Sequence, residues 1–243
     1  MGESYVAVFV GDQDRGVVTV IDSDGQIVDN ITVTDQTLLD MGFFKSVTTS
    51  SAQETELMWI LGLNTTGSVI STELQTFQPG KLSTGKSSLG EHIAYMVYDV
   101  DGVLNVVDTR QITHYNYRVI EQSTPTLIYG YTMQEVRQVG QTTAQLLVPA
   151  QERSEGTSIN SVRLMMGNVD RVLHLPGTCI YAALGTRSVY GFSPGTVYAC
   201  RYGETAFTAY SLPINITAVL GMISDNRAVV ASGSEIYVVE LPV

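Results

Sequence analysis

Lysine is nearly missing from this chain. Of 243 residues only Lys45, Lys81 and Lys86 are lysine, and acidic side chains outnumber basic ones 24 to 13, for a formal net charge of −11 and a pI near 4.6. General nucleic-acid binding draws its affinity from neutralised phosphates, so this balance argues against it. It also disfavours docking on an anionic membrane. No apolar run approaches the ~20 residues of a membrane helix. The first residues, Met1-Gly2-Glu3-Ser4, lack a basic segment followed by an apolar stretch, so no signal peptide is expected. Val6 stands where a myristoylation signal needs Ser or Thr. The chain is therefore expected to be soluble, in the cytoplasm or in a virion.

Other scarcities narrow the chemistry. The two cysteines, Cys179 and Cys200, form neither a metal spacing nor a disulfide framework. They stand near mirror positions of an expected hairpin, which leaves a cross-strand disulfide open, but buried free thiols are the favoured reading. The three histidines, His92, His114 and His174, lie in no metal-binding spacing. Gly191-Phe192-Ser193-Pro194-Gly195 matches G-x-S-x-G in letters, but it reads as a Gly/Pro-rich turn between two strands and not as the strand-to-helix elbow of an α/β-hydrolase. Asp22-Ser23-Asp24-Gly25 and Asp99-Val100-Asp101-Gly102 resemble pieces of calcium loops but lack the remaining oxygen ligands, so both are read as turns. Asn30, Asn64 and Asn215 begin glycosylation sequons and are read as turn and strand residues. No metal or cofactor is expected, though paired carboxylates of glycosidase type stay open because their geometry is spatial.

What the chain does contain is strand after strand. Hydrophobic residues make up 44% and charged residues only 15%, so the chain can build a core, and much of its polar surface must come from neutral side chains such as its 26 threonines. Tyr5–Val10, Val17–Ile21 and Gln26–Val33 form an expected three-stranded meander closed by the Asp24-Gly25 turn. The same grammar starts again near Leu57, His92, Thr126, Thr178 and Ile216. Helix signals are thin: Thr37 to Lys45 offers a turn or two, and Gln134 to Val139 is ambiguous. Exposed loops are expected over 78–90 and 150–158. Repeated units of roughly 35 to 50 residues resemble the β-propeller class, without the signatures of WD or kelch repeats. The expectation is an all-β, single β-repeat domain over 1–243, a β-propeller-like array of antiparallel three- to four-stranded meanders. A β-sandwich or two small β domains is the alternative.

One motif points elsewhere. Gly80-Lys81-Leu82-Ser83-Thr84-Gly85-Lys86-Ser87 matches the P-loop pattern, in which backbone N–H groups, the lysine and the serine hold phosphates and magnesium. A P-loop joins a buried strand to a helix. Here polar residues and Pro79 precede it, and the following segment reads equally well as a strand. Gly80, Gly85, Lys86 and Ser87 are thus phosphate-binding candidates in what is read as a loop. Tyr115, Tyr117, Tyr129 and Tyr131 are candidates for partner contact, because tyrosine serves both half-buried strands and interfaces.

The functional expectation is a non-enzymatic structural or protein-interaction module. Its partners would be other protein subunits, in a homo- or hetero-oligomeric assembly. Thr/Gln/Ser-rich, lysine-poor composition with clean hairpins resembles bacteriophage virion and tail proteins in style. The alternatives are a propeller-type glycan or small-molecule binding protein or hydrolase, and nucleotide binding through 80–87.

Overall fold

The computed structural model describes residues 2–11, 15–48, 53–66, 69–81, 83–90, 92–154, 158–224 and 226–242. Two compact units divide the chain, Met1–Tyr129 and Gly130–Val243. Each is built from three antiparallel meanders.

In the first unit, β1 (Tyr5–Gly11), β2 (Arg15–Asp22) and β3 (Ile27–Thr34) form one sheet. The second has β4 (Thr37–Val47), β5 (Glu54–Asn64), β6 (Ser71–Phe77) and β7 (Ser83–Ser88) in sequence order. The third comprises β8 (Met96–Val100), β9 (Val103–Val107), β10 (Gln111–Tyr115) and the short β11 (Thr126–Leu127). Turn chemistry sets these registers. Asp101 and Gly102 both have positive φ, 50° and 79°, as a two-residue hairpin loop between Val100 and Val103 requires.

Period-2 alternation places the core. In β5, Leu57, Trp59 and Leu61 face one way with Leu74 of β6 and join Val97, Leu104 and Val106 of the third sheet. Met58 and Ile60 face the other way and pack with Val18, Val20, Ile31 and Val33 of the first sheet. The middle sheet is thus buried on both faces, which explains why β5 reads as a continuous apolar run.

The second unit repeats the plan. Its sheets are β12 (Tyr131–Val139), β13 (Thr142–Pro149), β14 (Ile159–Met166) and β15 (Val169–Cys179); then β16 (Tyr181–Leu184), β17 (Ser188–Ser193), β18 (Thr196–Arg201) and β19 (Thr208–Ser211); then β20 (Ala218–Ser224), β21 (Arg227–Ser232) and β22 (Glu235–Glu240). Here β17 is the strand buried throughout. Val189 packs with Leu146 and Leu164, while Tyr190 and Phe192 pack with Ala228 and Val230.

Three local expectations are corrected, and one ambiguous segment is resolved. Thr37 to Lys45 is strand, not helix, because β4 pairs antiparallel along β5 from Thr37 opposite Leu63 to Val47 opposite Glu54. Gln134 to Val139 is likewise strand, within β12. The loop expected over 78–90 contains the edge strand β7, Ser83–Ser88, whose Ser/Thr-rich sequence suits a strand with one solvated side. The loop expected over 150–158 opens with a helical turn, α1 (Ala150–Ser154), and residues 155–157 lie outside the described set. As for the cysteines, Cys179 ends β15 and Cys200 lies in β18, so they belong to different sheets and not to one hairpin. Both are free and fully buried.

Candidate functional site

The site is built from one face of β10. Alternation turns Gln111, Thr113 and Tyr115 to the same side, where they line a cavity of about 370 Å³ within the Met1–Tyr129 unit. The end of β7 and the link into β8 supply the facing wall, including Ser87 and His92. This link is pinned to β6: Thr72 Oγ1 donates to the His92 carbonyl at 2.8 Å, and the Ala94 N–H donates to Thr72 Oγ1 at 3.1 Å. The floor is apolar, with Ala94, Val106 and Val119 nearly inaccessible.

Asp108 stands at the turn between β9 and β10. Its Oδ1 accepts the N–H groups of Arg110 (2.6 Å) and Gln111 (2.9 Å), an Asx turn that fixes the hairpin. Its side chain is 7% exposed, and Oδ2 lies 3.4 Å from His92 Nδ1. That separation exceeds a normal hydrogen bond. Gln111 Nε2 donates to Thr113 Oγ1 at 3.0 Å. Burial raises the pKa of the Tyr115 phenol, and the carboxylates of Glu121 and Asp108 add to the rise. Two carboxylates therefore act on one half-buried hydroxyl.

The loop closing the cavity is strained. Val119 has φ +56°, a left-handed conformation that a β-branched residue rarely adopts. Asn116 holds it there, accepting the N–H groups of Arg118 (2.8 Å) and Ile120 (3.1 Å) on Oδ1 and the Val119 N–H (2.9 Å) on its carbonyl. Thr76 Oγ1 donates to the Tyr117 carbonyl at 2.7 Å and ties this loop to the neighbouring sheet.

His92 and Asp108 beside two serines invite comparison with a hydrolytic triad. The relay is not assembled: Ser87 Oγ donates to the Ser88 carbonyl at 3.3 Å, and Ser88 Oγ accepts the Gly90 N–H at 3.4 Å. On the opposite face of the sheet, His114 joins Asn105 Oδ1 (2.7 Å) and Thr126 Oγ1 (3.3 Å), and burial lowers its pKa while Glu121 partly offsets this. No group of three His, Cys, Asp or Glu side chains among the described residues is placed to hold a metal.

The phosphate-binding candidates all have structural occupations. Gly80 sits in a turn at φ +73°, with its N–H donated to Asp29 Oδ2 at 3.2 Å. Gly85 lies in β7 opposite Thr76, where a Cβ would fall 2.3 Å from the Arg118 carbonyl carbon. Lys86 pairs with Glu73 at 2.8 Å, and Ser87 pairs with Leu74 across the ladder. Leu82 lies outside the described residues.

The tyrosines divide. Tyr115 and Tyr117 are half-buried against the core, with the Arg118 guanidinium 5.5 Å above the Tyr117 ring. Tyr129 is 62% exposed at the end of the first unit. Tyr131 opens β12 beneath Arg163, again at 5.5 Å. Only Tyr115 lines the cavity. Asp108, Gln111, Thr113 and Glu121 are marked by no local pattern in the sequence.

No protein-family profile matches the chain, and no curated protein matches it in sequence. Solved structures do match in fold. The WD40 domain of Neurospora crassa Pan2 is 8% identical with a TM-score of 0.58, over 97% of this chain and 75% of that one. Kluyveromyces lactis Hsv2 is 9% identical with a TM-score of 0.55, over 98% and 75%. The AfRom2 CNH domain is 8% identical with a TM-score of 0.51, over 98% and 80%. At such identities the likeness speaks for the fold alone. The chain is an all-β, β-propeller-like array of antiparallel meanders.

Proposed function

We propose that this chain is a non-enzymatic interaction module, a subunit that joins other protein subunits in a larger assembly, with its six sheets working as one β-repeat domain. One observation carries the reading. The meander sheets bury apolar faces against their neighbours within each unit, but the first and last sheets each turn an aliphatic face to solvent. On β1, Val6, Val8 and Val10 share a face with Val17 and Ile21 of β2, and Val10 is 71% exposed. On β22, Ile236 and Val238 are 67% and 59% exposed, and Leu220 and Ile223 of β20 are exposed as well. Contiguous exposed aliphatic faces mark contact surfaces for protein.

A wide, shallow depression of about 800 Å³ runs beside Val10, Arg15 and Val17 on the first of these faces. The unassembled serine-histidine pair supports the non-catalytic reading. A virion or tail setting agrees with the lysine-poor, Thr-rich composition, and the names of the structurally similar proteins do not bear on it.

Light-scattering mass measurement of the purified protein tests the proposal. A species heavier than 26.4 kDa, made of several copies or of this chain with a second protein, is expected. A monodisperse 26.4-kDa particle at all concentrations, with nothing bound, would sink it.

A further inference from the structure

We propose that the cavity between β7 and β10 is a socket for an arginine side chain presented by a partner polypeptide. The inference rests on the interaction-module reading but uses a different part of the molecule from the terminal sheet faces.

The first support is a carboxylate oxygen that faces the cavity and meets only a long ion-pair contact. Asp108 is more than nine-tenths buried, and its Oδ1 is committed to the turn. Its Oδ2 has no donor within normal hydrogen-bond reach among the described residues, the His92 ring nitrogen standing 3.4 Å away. A carboxylate oxygen in that position is open to a donor from outside the chain.

The second support is the balance of the lining. Gln111 spends its amide nitrogen on Thr113, which leaves its amide oxygen as an acceptor. Glu121 adds an exposed carboxylate at the rim. His92 is the one basic side chain on the wall. Acceptors at several positions fit a group with several donors, and the guanidinium offers five in a planar fork. An ammonium is a point charge and uses such a spread less well. A nucleotide or phosphate would meet two carboxylates and no lysine or arginine on the lining.

The third support is the floor. Ala94, Val106 and Val119 form an apolar base, and the Tyr115 ring flanks it. That suits the aliphatic stem of a long cationic side chain, which buries its methylenes while its head finds polar partners.

The probe is a fluorescein-labelled pentapeptide, Gly-Gly-Arg-Gly-Gly, titrated with the whole chain and followed by anisotropy. Citrulline and lysine versions serve for comparison, with unlabelled spermidine as competitor. The arginine peptide is expected to saturate. The citrulline peptide, equal in shape but uncharged, should bind about tenfold more weakly or worse, as hydrogen bonds to charged groups predict. Glu121→Gln and Asp108→Asn should each weaken arginine binding by about tenfold. Asparagine retains the Oδ1 that holds the turn, and Glu121→Gln changes only an exposed side chain, so both variants should fold.

The proposal is overturned if arginine and citrulline bind alike, if neither binds at millimolar concentration, or if both variants bind as the parent does. Spermidine outcompeting the arginine peptide would assign the cavity to a small polyamine and overturn it too. Failure here is separable from failure of the assembly reading. A self-assembling protein that ignores the peptide loses the socket alone, and a 26.4-kDa monomer that binds it keeps the socket alone.

Discussion

Glu135 shows how one side chain ties electrostatics to stability. It projects from β12, accepts the Leu184 N–H at 2.8 Å and lies 3.4 Å from Arg137 Nε. Burial raises its pKa above the ordinary 4.5, with the backbone N–H and Arg137 working against the rise. A raised carboxyl pKa means that the folded state keeps the proton longer than the unfolded chain does. The group's contribution is therefore fully present below 4.5 and is lost as pH climbs through its raised folded value. Glu135→Gln keeps an oxygen for Leu184 and removes the titration. Urea midpoints between pH 4.5 and 7 should fall less steeply with pH in the variant than in the parent. Equal slopes would contradict the assignment.

Residue-level chemistry was legible where it was local. The Asp-Gly turns and the free thiols could be read from composition and spacing, and burial pushes the Cys179 pKa up to about 11, which disfavours the reactive thiolate. The cavity could not be read. Ser87, Asp108, Gln111 and Glu121 come from two strands, β7 and β10, and from the links before and after β10, and only the packing of the second sheet against the third gathers them.

At the scale of elements, β7 is the instructive case. Its glycine, lysine and serine resemble a phosphate loop in sequence, yet the backbone is an extended edge strand paired with β6. Gly85 is needed because the loop after β10 approaches so closely: a Cβ would lie 2.4 Å from the Arg118 carbonyl oxygen. Gly85→Ala should cost about 3 kcal/mol of unfolding free energy in urea, the upper part of the usual range for forced overpacking. Millimolar ATP or GTP with magnesium should leave the melting temperature of the parent unchanged. A rise of several degrees with nucleotide, abolished by Lys86→Ala, would restore the phosphate-binding reading.

Strand identity came through in most segments because period-2 alternation and turn residues are local signals. It failed at β4, where Thr37 to Lys45 carries a helix-like start, and at β7, where an edge strand's polarity imitates a loop. In both cases cross-strand pairing, which is not local, decided the outcome.

At the scale of the whole molecule, sheets that are apolar on both faces explain the repeated plan. β5 and β17 each bury side chains on both sides. A first and a last sheet built with the same apolar alternation therefore have an unspent face. The sequence showed the alternation but not which sheets would be terminal. The exposed aliphatic faces of these two sheets are where the proposed partners would dock.

Site-specific thiol labelling tests that claim most directly. The native cysteines are fully buried, so Val8→Cys and Ile236→Cys can each be read against a control Thr208→Cys on the exposed strand β19. Maleimide labelling should slow at positions 8 and 236 when the assembly forms and stay unchanged at 208. Unchanged rates at positions 8 and 236 in a fully assembled sample would contradict the account.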